Sequence, residues 1–182
     1  MGPEFRVNSE TDGDQSQSAV TVLADGGFVV TWDSGGSQDG SGYGIFAQRY
    51  NAAAAAVGSE FRVNRMTTSN QTQSAVTALA DGGFVVTWTS DSQDGNSFGI
   101  YAQRYDAAGQ AVGAEFRVNS TTANNQFLSS VTALADGGFV VTWTSFGGQD
   151  GSGAGIYAQR YDATGAAVGL TVTGTAGADR LT

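Results

Sequence analysis

The sequence predicts an all-β protein made of three tandem copies of one four-stranded unit. Three observations lead there. The first is repetition. Phe5, Phe61 and Phe116 each stand in an E-F-R-V-N segment, spaced by 56 and 55 residues. Trp32, Trp88 and Trp143 each end a G-G-F-V-V-T-W segment, again 56 and 55 apart, and Tyr50, Tyr105 and Tyr161 each close an A-Q-R-Y segment. Self-similarity at a fixed period marks a repeat architecture in which no unit buries its apolar face alone. The second is that the apolar runs are short, rich in Val, Phe and Thr, and bounded by Asp and Gly turn signals. The third is the lack of any helical periodicity. The run Ala52–Ala56 occupies the position of Asp106–Gln110 in the next unit, so its context overrides its helix propensity.

The middle unit gives the elements in order. A first strand is expected over Ser74–Ala80. Asp81-Gly82-Gly83 follows as a tight turn, because Asp and Gly tolerate positive φ. The second strand, Phe84–Trp88, is almost wholly apolar or β-branched and has to be covered on both faces. Ser90–Phe98 reads as a polar loop, Gly99–Tyr105 as the third strand and Asp106–Gly109 as another turn. The fourth strand, Val112–Asn119, alternates: Phe116 and Val118 point one way, Glu115 and Arg117 the other. Such a unit matches a β-propeller blade, which needs a neighbour on each side. Propellers close with about 4–8 blades, so three blades are either part of a larger array or a ring completed by two or three chains, and a spare strand at one end with a weak one at the other favours the second. The units are placed at 9–64, 65–119 and 120–173, with 174–182 as a tail. Residues 1–8 are a spare outer strand for a neighbouring blade. The last unit has only a weak fourth strand, Leu170–Thr173, with Val172 at the Phe position. The alternative is a β-trefoil or β-prism closed within one chain.

Composition narrows the chemistry. The 182 residues include no Cys, His or Lys, and 17 carboxylates outnumber eight arginines for a net charge of -9. Thiolate zinc sites, disulfides, His-based acid–base chemistry and lysine Schiff bases are excluded. The acid excess disfavours nucleic acid as a partner. No apolar run approaches the roughly 20 residues that span a bilayer. Oxygen-rich, acidic loops suit Ca²⁺.

Candidate ligand residues recur by unit. The Gln-Asp-Gly loops carry Asp39, Asp94 and Asp150, and the first two have an upstream acid, Asp33 and Asp91. This set is the candidate Ca²⁺ site, against the competing reading of turns shaped by Asp and Gly. Trp32, Trp88 and Trp143, with Tyr50, Tyr105 and Tyr161, are candidate carbohydrate platforms, against core packing. Arg49, Arg104 and Arg160 are expected to pair with a carboxylate such as Glu60 or Glu115, or to enter an interface. Glu4, Glu60 and Glu115 with Arg6, Arg62 and Arg117 are expected to form a rim of charge pairs. Every prominent acid recurs, whereas catalytic sites are single and asymmetric, so no catalytic residue is assigned.

The unit E-F-R-V-N … A-D-G-G-F-V-V-T-W … Q-D-G-S-G-x-G-I-Y-A-Q-R-Y-D resembles tandem repeats of large secreted bacterial RTX (hemolysin-type calcium-binding) proteins. The tail Gly174-Thr175-Ala176-Gly177-Ala178-Asp179-Arg180-Leu181-Thr182 is similar to that group's G-G-x-G-x-D-x-L-x nonapeptide, with Thr175 in place of the second glycine. The resemblance implies an extracellular, secreted bacterial parent protein and Asp179 as a Ca²⁺ ligand there. The expected function is a non-catalytic structural or binding module that self-assembles into a ring. The alternatives are a multivalent carbohydrate-binding module with one site per repeat, and a Ca²⁺-stabilised spacer.

Overall fold

The computed structural model describes residues 3–36 and 38–169. The expected terminal strand Leu170–Thr173 and the nonapeptide tail lie outside the described residues. The architecture is all-β, as predicted, with three four-stranded antiparallel sheets in strand order 1-2-3-4. The first blade holds β1 (Gln15–Val22), β2 (Phe28–Ser34), β3 (Gly44–Tyr50) and β4 (Ala56–Arg62). The second holds β5 (Gln71–Ala78), β6 (Phe84–Asp91), β7 (Phe98–Tyr105) and β8 (Ala111–Arg117). The third holds β9 (Gln126–Ala133), β10 (Phe139–Phe146), β11 (Ala154–Tyr161) and β12 (Ala167–Val168). Successive blades stack face to face, with β5 against the first blade and β9 against the second.

The turns form as the residues dictate. In Asp81-Gly82-Gly83, Gly82 takes a φ of +85°, and the Asp81 carboxylate accepts a hydrogen bond from the Gly83 N–H at 2.9 Å. Gly83 is required for a different reason: a Cβ there would stand 2.2 Å from the Tyr105 carbonyl oxygen. The first strand is longer at its start than expected and carries a bulge. Gln17, Gln73 and Leu128 adopt φ values of 51°, 60° and 59°, each at the register break of its strand. A non-glycine residue holds that conformation only where its surroundings over-determine it.

Each sheet has two unlike faces. In the first blade Val29, Ile45 and Ala47 form an aliphatic face, while Phe28, Val30, Trp32, Phe46 and Tyr50 form an aromatic one. Blades stack aliphatic on aromatic. Val29, Ile45 and Ala47 bury against Phe84, Val86, Trp88, Tyr101 and Tyr105 of the second blade. Val85, Ile100 and Ala102 then bury against Phe139, Val141, Trp143 and Tyr161 of the third. β6 is therefore buried on both faces, as its composition requires. In the middle blade the fourth strand, β8, is the wet one, while β5 is half-buried and β6 and β7 are buried. β1 is alternately exposed as well, and the two middle strands of the first two blades are the buried ones.

The close approach at Gly83 predicts an asymmetry between two glycines. Gly83→Ala should lower stability by about 2–4 kcal/mol, because backbone must move. Gly95→Ala, at a φ of +85° with open space around it, should cost only about 1–2 kcal/mol. Urea unfolding of the two variants checks this, and equal losses would contradict it.

Candidate functional site: the inter-blade grooves

The fourth strand of one blade and the next blade enclose a groove, and it forms twice. Between the first and second blades it has a volume of about 540 Å³ and is lined by Phe61, Arg62, Asn64, Gln103 and Tyr105. Between the second and third it has a volume of about 650 Å³ and is lined by Phe116, Arg117, Asn119, Gln159 and Tyr161. These residues are repeat equivalents. The aromatic wall is set by inter-blade contacts: Phe61 tilts onto Tyr105 at 5.4 Å and Phe116 onto Tyr161 at 5.3 Å between ring centroids. Burial pushes the Tyr105 phenol well above its ordinary pKa and the Tyr161 phenol up to about 12, so both stay neutral donors.

Buried amides fix the groove floor. Gln48 donates to the carbonyls of Arg49, Val57 and Gly58 and so stitches the irregular pairing of β3 with β4. Gln103 does the same with Arg104, Val112 and Gly113. Asn64 accepts from the Ile45 N–H at 2.8 Å and donates to Gln71, and Asn119 repeats both bonds with Ile100 and Gln126. Sequence reasoning passed over these Asn and Gln residues. Their signal was present, since the N of E-F-R-V-N and the Q of A-Q-R-Y recur in register.

The predicted site residues fall in separate places. Trp88 is fully buried, and Trp32 and Trp143 nearly so. A covered ring offers no face to a sugar, so the Trp platform is corrected to core packing. Tyr50 is buried against Phe28, in ring stacking at 4.9 Å. Tyr105 and Tyr161 reach the grooves but are themselves largely buried. Arg49, Arg104 and Arg160 do enter an ion pair, though not with Glu60 or Glu115. Their partners are Asp25 at 3.8 Å, Asp81 at 3.2 Å and Asp136, the turn aspartates. Glu60 and Glu115 instead accept from Gln38 and Gln93 and from the Ser9 and Arg65 backbone N–H groups. The expected rim of Glu–Arg pairs is absent among the described residues, because linker and loop donors occupy the carboxylates.

The aspartates of the candidate Ca²⁺ set do not converge. Asp39 lies against Asn64 at 3.2 Å and the Ser41 N–H at 3.1 Å. Asp94 and Asp150 accept from Asn96 and Ser152 in the equivalent loops, and Asp91 accepts from Ser92. Asp33 is buried between the first two blades and takes the bulged Gln73 N–H at 2.9 Å. Among the described residues no three acids gather in one place.

No protein-family model matches the sequence, and no curated protein does either. Solved structures share the fold. A protein of unknown function from Dyadobacter fermentans aligns with a TM-score of 0.60 at 10% identity, over 83% of this chain and 52% of its own. An α-L-arabinofuranosidase from Lactobacillus brevis aligns at 0.59 and 10% identity, over 90% and 57%. An endo-arabinase from Bacteroides thetaiotaomicron aligns at 0.52 and 15% identity, over 88% and 61%. The chain thus spans just over half the length of the structures it matches. The shared feature is a propeller-like arrangement of four-stranded sheets.

Asp33 yields a pH prediction. Burial raises its pKa from 3.8 to about 6, against the opposing Gln73 and Ser74 N–H groups. A raised carboxyl pKa means that the folded state binds the proton more tightly. The stabilisation is therefore full below about pH 4 and is lost as pH rises through 6. Asp33→Thr places the residue found at Thr89 and Thr144. It removes a penalty on the order of 3 kcal/mol above pH 6, offset by about 1 kcal/mol for a weakened bond to Gln73. The expected outcome is a melting temperature raised by roughly 4–8 °C at pH 8 and a flatter profile between pH 4 and 6. An unchanged melt at pH 8 would contradict it.

Proposed function

We propose that the chain is a non-catalytic binding module of a secreted bacterial protein, with carbohydrate as the ligand class and the inter-blade grooves as its sites. The observation that carries this reading is the repeated groove itself. Each copy combines an aromatic edge, amide groups and an exposed arginine, the groups that pack against and hydrogen-bond sugar hydroxyls. Two of the structural neighbours are an endo-arabinase and an α-L-arabinofuranosidase, which supports sugar as the ligand class. The acid content argues against hydrolysis. Glycoside cleavage ordinarily takes two carboxylates flanking the scissile bond. Among the described residues, the first groove is lined by no Asp or Glu and the second by Asp94 alone. Repeated weak sites gain affinity through simultaneous engagement of one long chain.

Calorimetry with arabino-oligosaccharides, preceded by a glycan array, tests this. Binding in roughly the millimolar range per site is expected, with longer oligosaccharides binding more tightly. Arg62→Ala combined with Arg117→Ala should weaken it at least about tenfold with no change in melting, because both side chains are exposed. No ligand on the array would leave a plain scaffold. Reducing sugar released by the wild type and abolished by changing one carboxylate would overturn the non-catalytic reading.

A further inference from the structure

Six of the eight arginines recur with the repeat: Arg6, Arg62 and Arg117, then Arg49, Arg104 and Arg160. Arg65 and Arg180 do not, and Arg180 lies outside the described residues. The segment E-F-R-V-N is followed by Ser9 in the first copy, by Arg65 in the second and by Ser120 in the third. The backbone does not ask for arginine at this position. The Arg65 N–H donates to the Glu115 carboxylate at 2.7 Å, and the Ser9 N–H makes the same bond to Glu60 at 2.7 Å. The Arg65 side chain is exposed and lines the groove between the first and second blades. Both walls of that groove, drawn from 49–65 and 103–113, are internal to the chain.

Arg65 joins two other cations there. Arg49 and Arg62 line the same groove, and among the described residues no Asp or Glu does. Arg62 is oriented by its Nε, which donates to the Asn64 carbonyl at 3.0 Å. Neither Arg62 nor Arg65 enters an ion pair among the described residues. Arg49 is 9% exposed and lies across Gly109, where a Cβ would stand 2.9 Å from its Cδ. Its carboxylate partner, Asp25, is 3.8 Å away, against 3.2 Å between Arg104 and Asp81. Acids close to the groove in sequence turn elsewhere. Glu60 takes Gln38 and Ser9, Glu115 takes Gln93 and the Arg65 backbone, and Asp106 closes its own turn through the Ala108 and Gln110 N–H groups. The second groove differs: among the described residues Arg117 is the arginine in its lining, and Asp94 shares that lining.

We infer that the groove between the first and second blades is specialised for an anionic saccharide, whose carboxylate or sulfate is held by Arg62 and Arg65. The inference rests on the carbohydrate reading of the grooves and adds a charge preference to one of them. A guanidinium presents paired N–H donors that match two oxygens of such a group, and the bonds are charge-assisted. Arg49 adds a positive charge that packing over Gly109 holds in place. A charge largely withdrawn from water acts on an anion through a lower effective dielectric than an exposed one. Phe61 lends the sugar ring an aromatic edge to pack against. The volume of about 540 Å³ falls inside the roughly 300–1,000 Å³ of small-molecule sites. The net charge of -9 gives no long-range pull on an anion. At physiological ionic strength, however, the field of an exposed charge decays over roughly 8 Å, so the arginines in the groove set the local preference.

Calorimetry on the full chain compares three ligands of equal length: an oligogalacturonate, a sulfated oligosaccharide and a neutral arabino-oligosaccharide. At least one anionic sugar should bind about tenfold or more tighter than the neutral one, at one such site per chain. Which of the two does so identifies the oxyanion. Arg65→Ser keeps the backbone bond to Glu115, since Ser9 makes the equivalent bond. It should bring the ratio of anionic to neutral affinity down to within about threefold, with an unchanged melting temperature. A neutral sugar bound as tightly as both anionic ones overturns this inference and leaves the carbohydrate reading standing. No binding of any of the three removes that reading and this inference together. Two equal anionic sites per chain contradict the specialisation of one groove. Poly-glutamate bound as tightly as the anionic sugar reveals attraction to charge alone and overturns the inference as well. An anionic preference that survives in Arg65→Ser puts the anion elsewhere and refutes the site.

Discussion

Val29, Ile45 and Ala47 pressed against Phe84, Val86 and Trp88 make the contact on which the rest of the molecule depends. A four-stranded sheet of this size hides little apolar surface by itself. Each sheet here is aliphatic on one side and aromatic on the other, and the two sides differ in shape: small branched groups fill the hollows between rings. The pairing is directional as a result. A blade accepts its successor on one face and its predecessor on the other, and the order of the chain becomes the order of the stack. At about 25 cal/mol per Å² of apolar surface removed from water, these junctions outweigh the ion pairs on the rim, where exposed partners contribute up to about 1 kcal/mol.

Polar groups inside the stack set geometry more than they add stability. Asn64, Gln71 and Gln48 are buried, and each satisfies backbone groups that irregular pairing leaves open. A buried amide without partners is costly, so these bonds hold the fourth strand and the linker in a single arrangement. That arrangement shapes the groove between blades. The turn aspartates serve twice: Asp81 closes its own turn through Gly83 and holds Arg104 at the blade edge. Asp33 is the exception within the pattern, a carboxylate where the other units place threonine, and burial raises its pKa to about 6.

Much of the fold was legible in the sequence, and for physical reasons. A period near 55 residues fixed the units, Asp-Gly-Gly fixed the turns, and the apolar Phe84–Trp88 run required cover on both sides. Strand starts were harder, because Gln71 and Thr72 precede a bulge whose left-handed Gln73 has no glycine to announce it. Side-chain roles were legible where one residue type serves one purpose, as with the turn aspartates. They were obscured where two partners compete. Arg49 had glutamates within plausible reach, yet linker N–H groups and loop glutamines occupy those carboxylates. The Trp residues read as core ahead of platforms, because they end the most apolar strand, and they are buried.

The two-faced sheet also bears on how such arrays grow. Adding a unit covers one bare face and regenerates the same face one step further on. The solvent-facing penalty at the ends is then independent of the number of units, while the hidden surface rises in proportion to it. Repetition of the unit can therefore lengthen such an array without redesigning any residue.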